Sequence, residues 1–131
     1  MRRYGRATGP GRGAAALEFA LVLPLLALLV LGGLDWGYYF FAEQVVVNAA
    51  REGARAGSLE ATDDAAALAD AEAAARSYLT RGGLEPTGAT VAVTLGAESV
   101  SVLITYPTGS LTGLAGLAVP ANARANAEMR R

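Results

Sequence analysis

An apolar run near the N-terminus constrains this chain more than any other feature. Every residue from 19 to 34 is apolar or Gly, apart from Pro24. Residues 14–17 extend the run backwards and residues 36–42 extend it forwards, across two acids, Glu18 and Asp35. Spanning a hydrocarbon core takes roughly 20 apolar residues, a length the run reaches only with its ends counted. Trp36, Tyr38, Tyr39, Phe40 and Phe41 follow Asp35 as a belt of rings, which favour a membrane interface. Arg2, Arg3, Arg6 and Arg12 precede the run with no acid among them. That asymmetry predicts an N-terminus in the cytoplasm and a C-terminal part outside the cytoplasmic membrane.

The remaining composition mainly excludes. With 131 residues the chain holds one small domain beyond a membrane segment. Cysteine and histidine are both absent. This rules out a disulfide framework, a Cys/His zinc site, a Cys nucleophile and a Ser-His-Asp triad. No basic patch falls on the folded part, so nucleic acid is not an expected partner. Asp63 beside Asp64, and Asp70 near Glu72, read as a helix cap and a solvated face rather than a catalytic pair. No GxxxxGK[ST] phosphate loop occurs. The expectation is a chain that is no enzyme, with no cofactor, no metal and no small-molecule substrate.

Glu18 discriminates between readings of the apolar run. A secretory signal peptide needs small residues after its core, whereas Asp35, Trp36 and further rings stand there. A twin-Arg address lacks the pattern around Arg2 and Arg3. A plain uncut anchor leaves Glu18 unexplained, unless it is simply a wet acid favoured by the helix dipole. A type IV pilin-like leader accounts for it. Gly13 ends a short basic leader, Ala14, Ala15, Ala16 and Leu17 follow, and Glu18 opens the apolar stretch. Cutting between Gly13 and Ala14 frees an α-amine at the edge of the apolar phase. A carboxylate there is expensive unless paired. In a filament, Glu18 of one subunit can neutralise the amine of its neighbour and fix axial register. Pro24 removes one helical hydrogen bond and predicts a kink, tolerated in a membrane helix. Asp35 lies about 25 Å along the helix axis from Glu18 and is expected to be a solvated end at the outer interface.

Beyond the rings, AEQVVVNAAREGARAG (42–57) continues the helix as a stalk. Val45, Ala49, Glu52 and Ala56 fall at helical spacing, as do Val46, Ala50 and Gly53. Glu52 and Arg55 stand three apart. Ala49, Ala50, Gly53, Ala54, Ala56 and Gly57 permit close helix approach. GAAALEFALVLPLL (13–26), LDWGYYF (34–40) and VVVNAAREGARAG (45–57) together resemble the TadE-like family of the tight-adherence (Flp) pilus machinery. AEAAARSYL (71–79), VSVLITYP (100–107) and ANAEMR near the C-terminus continue the likeness less sharply. The resemblance implies a minor pilin or pseudopilin, with Gly13 as last leader residue, Ala14 as new N-terminus and Glu18 as the assembly acid. It implies as partners a prepilin peptidase, other pilins or pseudopilins and a pilus assembly platform, with the membrane as site. The alternative is an uncut bitopic protein whose outer domain binds an envelope partner.

The predicted organisation is a leader over 1–13, a transmembrane helix over 14–42, a stalk over 43–58 and an extracytoplasmic domain over 59–131. Within that domain Thr62 is the expected N-cap of a second helix. Its apolar stripe would be Leu68, Ala71, Ala75, Tyr78 and Leu79, with Gly82, Gly83 and Pro86 as its stop. Val91, Val93 and Leu95, then Val100, Val102, Ile104 and Tyr106, alternate as strands about a turn at residues 96–98. Residues 121–129 alternate Ala and Met129 against polar side chains, predicting a third antiparallel strand. In the loop between them, TGSLTGLAGLAV (108–119), Leu111, Leu114 and Leu117 are expected to fold back on the core. The fold class is thus α+β and pilin-like: a long N-terminal helix, then a helix packed on a small three-stranded antiparallel sheet. A domain of that size needs added support, expected from the stalk or a partner.

Overall fold

The structure is a computed structural model describing residues 11–60, 62–113 and 119–131. The apolar run and the expected stalk form one helix, α1, over Gly11–Leu59. Its 49 residues give it a length of about 73 Å. The helix passes through Pro24 without a break. Its most apolar window is not covered by any other part of the chain. Leu21, Leu25, Leu29 and Leu34 all stand more than half exposed. This is a helix long and apolar enough to cross a membrane, and its exposure sets it apart from the core helix of a globular protein.

The upper part of α1 behaves oppositely. Ala42, Val45, Val46, Ala49, Ala50 and Ala54 are buried. They pack on α2, Asp64–Arg81, which runs back antiparallel along α1. Glycine permits the close approach. A Cβ on Gly53 would stand 2.9 Å from the Ala71 carbonyl oxygen, and one on Gly57 would meet Ala67 O, Ala71 Cβ and Val100 Cγ1, each at 3.0 Å. The buried face of α2 is accordingly Ala67, Ala71, Ala75 and Leu79. The expected stripe was one position off at its start. Leu68 stands largely exposed, because only a methyl group fits opposite the two glycines. The N-cap also differs from expectation. Asp63, not Thr62, caps α2, its carboxylate accepting from the Ala65 and Ala66 amides at 2.9 and 3.1 Å. Asp63 is the last residue with extended backbone before the helix, so its side chain alone reaches those amides. Gly82 and Gly83 end α2 as expected, Gly83 with φ +81°.

Three antiparallel strands follow: β1 over Thr90–Leu95, β2 over Ser99–Pro107 and β3 over Asn122–Arg130. The order is β1-β2-β3, with Val93 opposite Val102 and Ile104 opposite Ala125. Period-two alternation sends Val100, Val102, Ile104, Tyr106 and Ala123 into the core. The opposite face carries polar groups such as Ser101, which donates to Asn126. Upper α1 and α2 make one layer and the sheet the other. Upper α1 supplies much of the buried core, so the added support comes from within the chain.

The glycine contacts fix the direction of β2. Val100 lies by Gly57 and Val102 by Gly53, so β2 descends towards the apolar end of α1. Residues 108–113 after it lie at the Asp35 end of the domain. The far end is tied by Arg131. Its guanidinium donates to Asp64 and to the Glu60 carbonyl at 2.7 and 2.8 Å, and its amide donates to the Glu98 carbonyl at 3.0 Å.

Candidate functional site

The candidate site is the lower helix with its two acids. Gly13 and Ala14 lie in the first turns of α1 and are exposed. Residues 1–10, which carry three of the leader's four Arg residues, lie outside the described residues. Glu18 stands one turn above Ala14, about 6 Å along the axis. It is exposed, and among the described residues it takes part in no hydrogen bond or ion pair. Pro24 follows within the same exposed stretch. Nothing in the folded domain is brought near Gly13, Ala14, Glu18 or Pro24. They form a linear site on one helix.

Asp35 overturns its expectation. It is only 2% exposed. Oδ1 accepts from the Leu111 and Thr112 amides at 2.8 and 3.1 Å, and Oδ2 accepts from Ser110 Oγ at 2.9 Å and from the Thr112 hydroxyl. Ser110 Oγ in turn accepts from the Gly113 amide at 2.7 Å. Asp35 is therefore the anchor of the loop after β2, not a solvated end. The acid nearer the N-terminus is open; the acid at the domain is enclosed. Such a carboxylate satisfies its charge by hydrogen bonding without water.

One further tie joins helix and sheet at this level: Tyr38 of α1 meets Tyr106 of β2. Within α1, Trp36 packs on Tyr39 and Phe40 with ring centroids 5.9 and 5.5 Å apart. Higher up, Arg55 donates twice to the Glu52 carboxylate at 2.9 and 3.1 Å. That hydrogen bond lowers the Glu52 pKa and raises that of Arg55. Between the helices, Phe41, Gln44, Val45, Asn48, Tyr78 and Arg81 line a shallow groove, with the Arg81 guanidinium 5.6 Å from the Tyr78 ring centroid.

Leu111 does not fold back on the core. It is 64% exposed, because its amide is spent on Asp35 and its side chain is turned outward. Leu114 and Leu117 lie outside the described residues. Sequence reasoning missed Ser110, Thr112 and Arg131. A Ser-x-Thr step between two glycines was the available signal for a loop that wraps a carboxylate.

No curated protein and no solved structure matches the chain. The stretch holding the open acid, the enclosed acid and most of the small-residue helix does find a match. Residues 13–55 match the family model described as TadE-like protein.

Proposed function

We propose that this chain is a minor pilin or pseudopilin that takes part in assembling or initiating tight-adherence (Flp-type) pili. A prepilin peptidase cuts it between Gly13 and Ala14. The lower part of α1 then anchors it in the cytoplasmic membrane, leader inward and domain outward, until it joins other pilins at the assembly platform. The observation that carries this reading is Glu18: an exposed carboxylate with no partner among the described residues, at the mouth of an apolar helix that none of the described residues buries, inside the family-matched stretch. A charge so placed gains from a partner outside the chain. The freed amine of a neighbouring Ala14 is a partner of the right sign at the right depth.

Intact mass of the protein extracted from its native membrane tests the cut. A mass beginning at Ala14 is expected. A mass beginning at Met1 or Arg2 overturns the processing and leaves an uncut bitopic protein with an envelope-binding domain. Glu18→Ala tests the pairing separately. The chain should still insert, since the change removes an intramembrane charge, while pilus assembly is lost. Unchanged assembly would remove Glu18 from the mechanism.

A further inference from the structure

We propose that residues 108–113, which follow β2, form a second membrane contact that rests on the outer leaflet with Leu111 inserted among the lipids. The inference needs α1 to span the membrane but does not depend on leader cleavage or on pilus assembly.

Four observations converge on it. The packing of Val102 by Gly53 and Val100 by Gly57 directs β2 downward, so residues 108–113 that follow it lie at the low end of the sheet layer. Residues 110–112 are bonded to Asp35, and Asp35 directly follows Leu34, at the end of the exposed apolar stretch. Residues 110–112 are thereby held at the level where the hydrocarbon would stop. The chemistry of the loop suits that level. Residues 108–121 contain no charged side chain. Their polar groups are turned inward: Thr108 donates to the Pro120 carbonyl at 2.9 Å, and Ser110 and Thr112 bond the buried carboxylate. A loop can sit at an apolar boundary only when its backbone and hydroxyl groups are satisfied within the protein. Finally, Trp36 is exposed one position above Asp35, and Phe40 and Phe41 within about 9 Å above it, in the zone where rings favour the interface.

The enclosed Asp35 thus has a purpose that a solvated acid would not serve. It gathers the loop's donors, so that what faces outward is Leu111. One inserted leucine binds weakly, and its role is orientation. Together with the span it makes two points of attachment, which stop the domain from tilting freely on its helix.

The absence of native cysteine makes the test direct. Full-length Leu111→Cys and, as a distal reference, Glu98→Cys are each labelled with an environment-sensitive fluorophore and reconstituted in phosphatidylcholine/phosphatidylglycerol vesicles. The expected result is blue-shifted emission at position 111 that bromine on the upper acyl chain of the lipid quenches, and neither effect at position 98. Emission at 111 matching that at 98 overturns the proposal. So does a blue shift that lipid-borne bromine leaves unquenched and that fades on dilution with lipid, which would assign the leucine to a second copy of the chain.

Discussion

The two halves of α1 share one unbroken helix and obey opposite rules. Below Asp35 the stretch is rich in leucine, and among the described residues almost all of it stands exposed. Above it the buried positions are Ala, Val and Gly, packed until a single methyl would collide. Hydropathy reads the lower half, because lipid asks only for apolar surface and length. Size reads the upper half, because a helix pressed between α2 and a sheet must be thin. A small residue therefore means different things in the two places. Gly32 and Gly33 have open space around them, whereas Gly53 and Gly57 have none.

Paired substitutions break or sharpen that contrast. The largest effect belongs to Gly57→Val. Its Cβ alone would press on a carbonyl oxygen and two side chains, and overpacking of this kind should destabilise the domain by about 3 kcal/mol. Gly33→Val should leave domain stability unchanged. Thermal unfolding in detergent micelles compares the two, and equal melting would erase the distinction between the halves.

The acids come next. Asp35→Ala leaves the Leu111 and Thr112 amides without their acceptor, at a local cost of about 2–3 kcal/mol. Hydrogen exchange at those two amides should accelerate by roughly 30- to 150-fold, the equivalent of that energy. Glu18→Ala should change neither. Exchange unaffected by Asp35→Ala would mean that the loop is held by something else.

A smaller effect is expected at the cap. Asp63→Ala removes the acceptor of two α2 amides and should lower stability by about 1 kcal/mol, while Thr62→Ala should be silent. The smallest concerns pH. Glu52 has its pKa lowered by Arg55, so its contribution is complete above the unfolded carboxylate value and is lost as pH falls through the folded one. Wild type and Glu52→Gln should therefore differ in melting temperature at neutral pH and converge in acid. A difference that persists in acid would point to packing instead of charge.

What was legible in the sequence follows from the same contrast. Periodicity of two gave β1, β2 and β3, since alternation against one core is a local pattern; at the ends of the third run it overreached, because Ala121 precedes the strand and Met129 stands exposed. The apolar run gave the lower helix, and Gly82 with Gly83 gave the end of α2. The face of α2 was misread because Leu68 is the more hydrophobic residue, yet the space opposite belongs to Ala67, a fact that depends on Gly57 across the interface. Asp35 was misread for a similar reason. Its partners lie some 75 residues away, and no local pattern announces them. Gly13, Ala14 and Glu18 were legible as a motif, because their arrangement is linear on one strand of chain.

The continuity of α1 fixes a rotational phase. An α-helix turns about 100° per residue, so Glu18 and Asp35, seventeen positions apart, point about 100° away from one another around the axis. Asp35 faces the sheet side of its own domain. Glu18 therefore looks roughly a quarter-turn sideways from the face that carries the sheet. One residue inserted between positions 25 and 34 would leave length and hydropathy almost untouched, yet would swing that carboxylate to another azimuth. The apolar helix thus works as an angular gauge as well as a spacer.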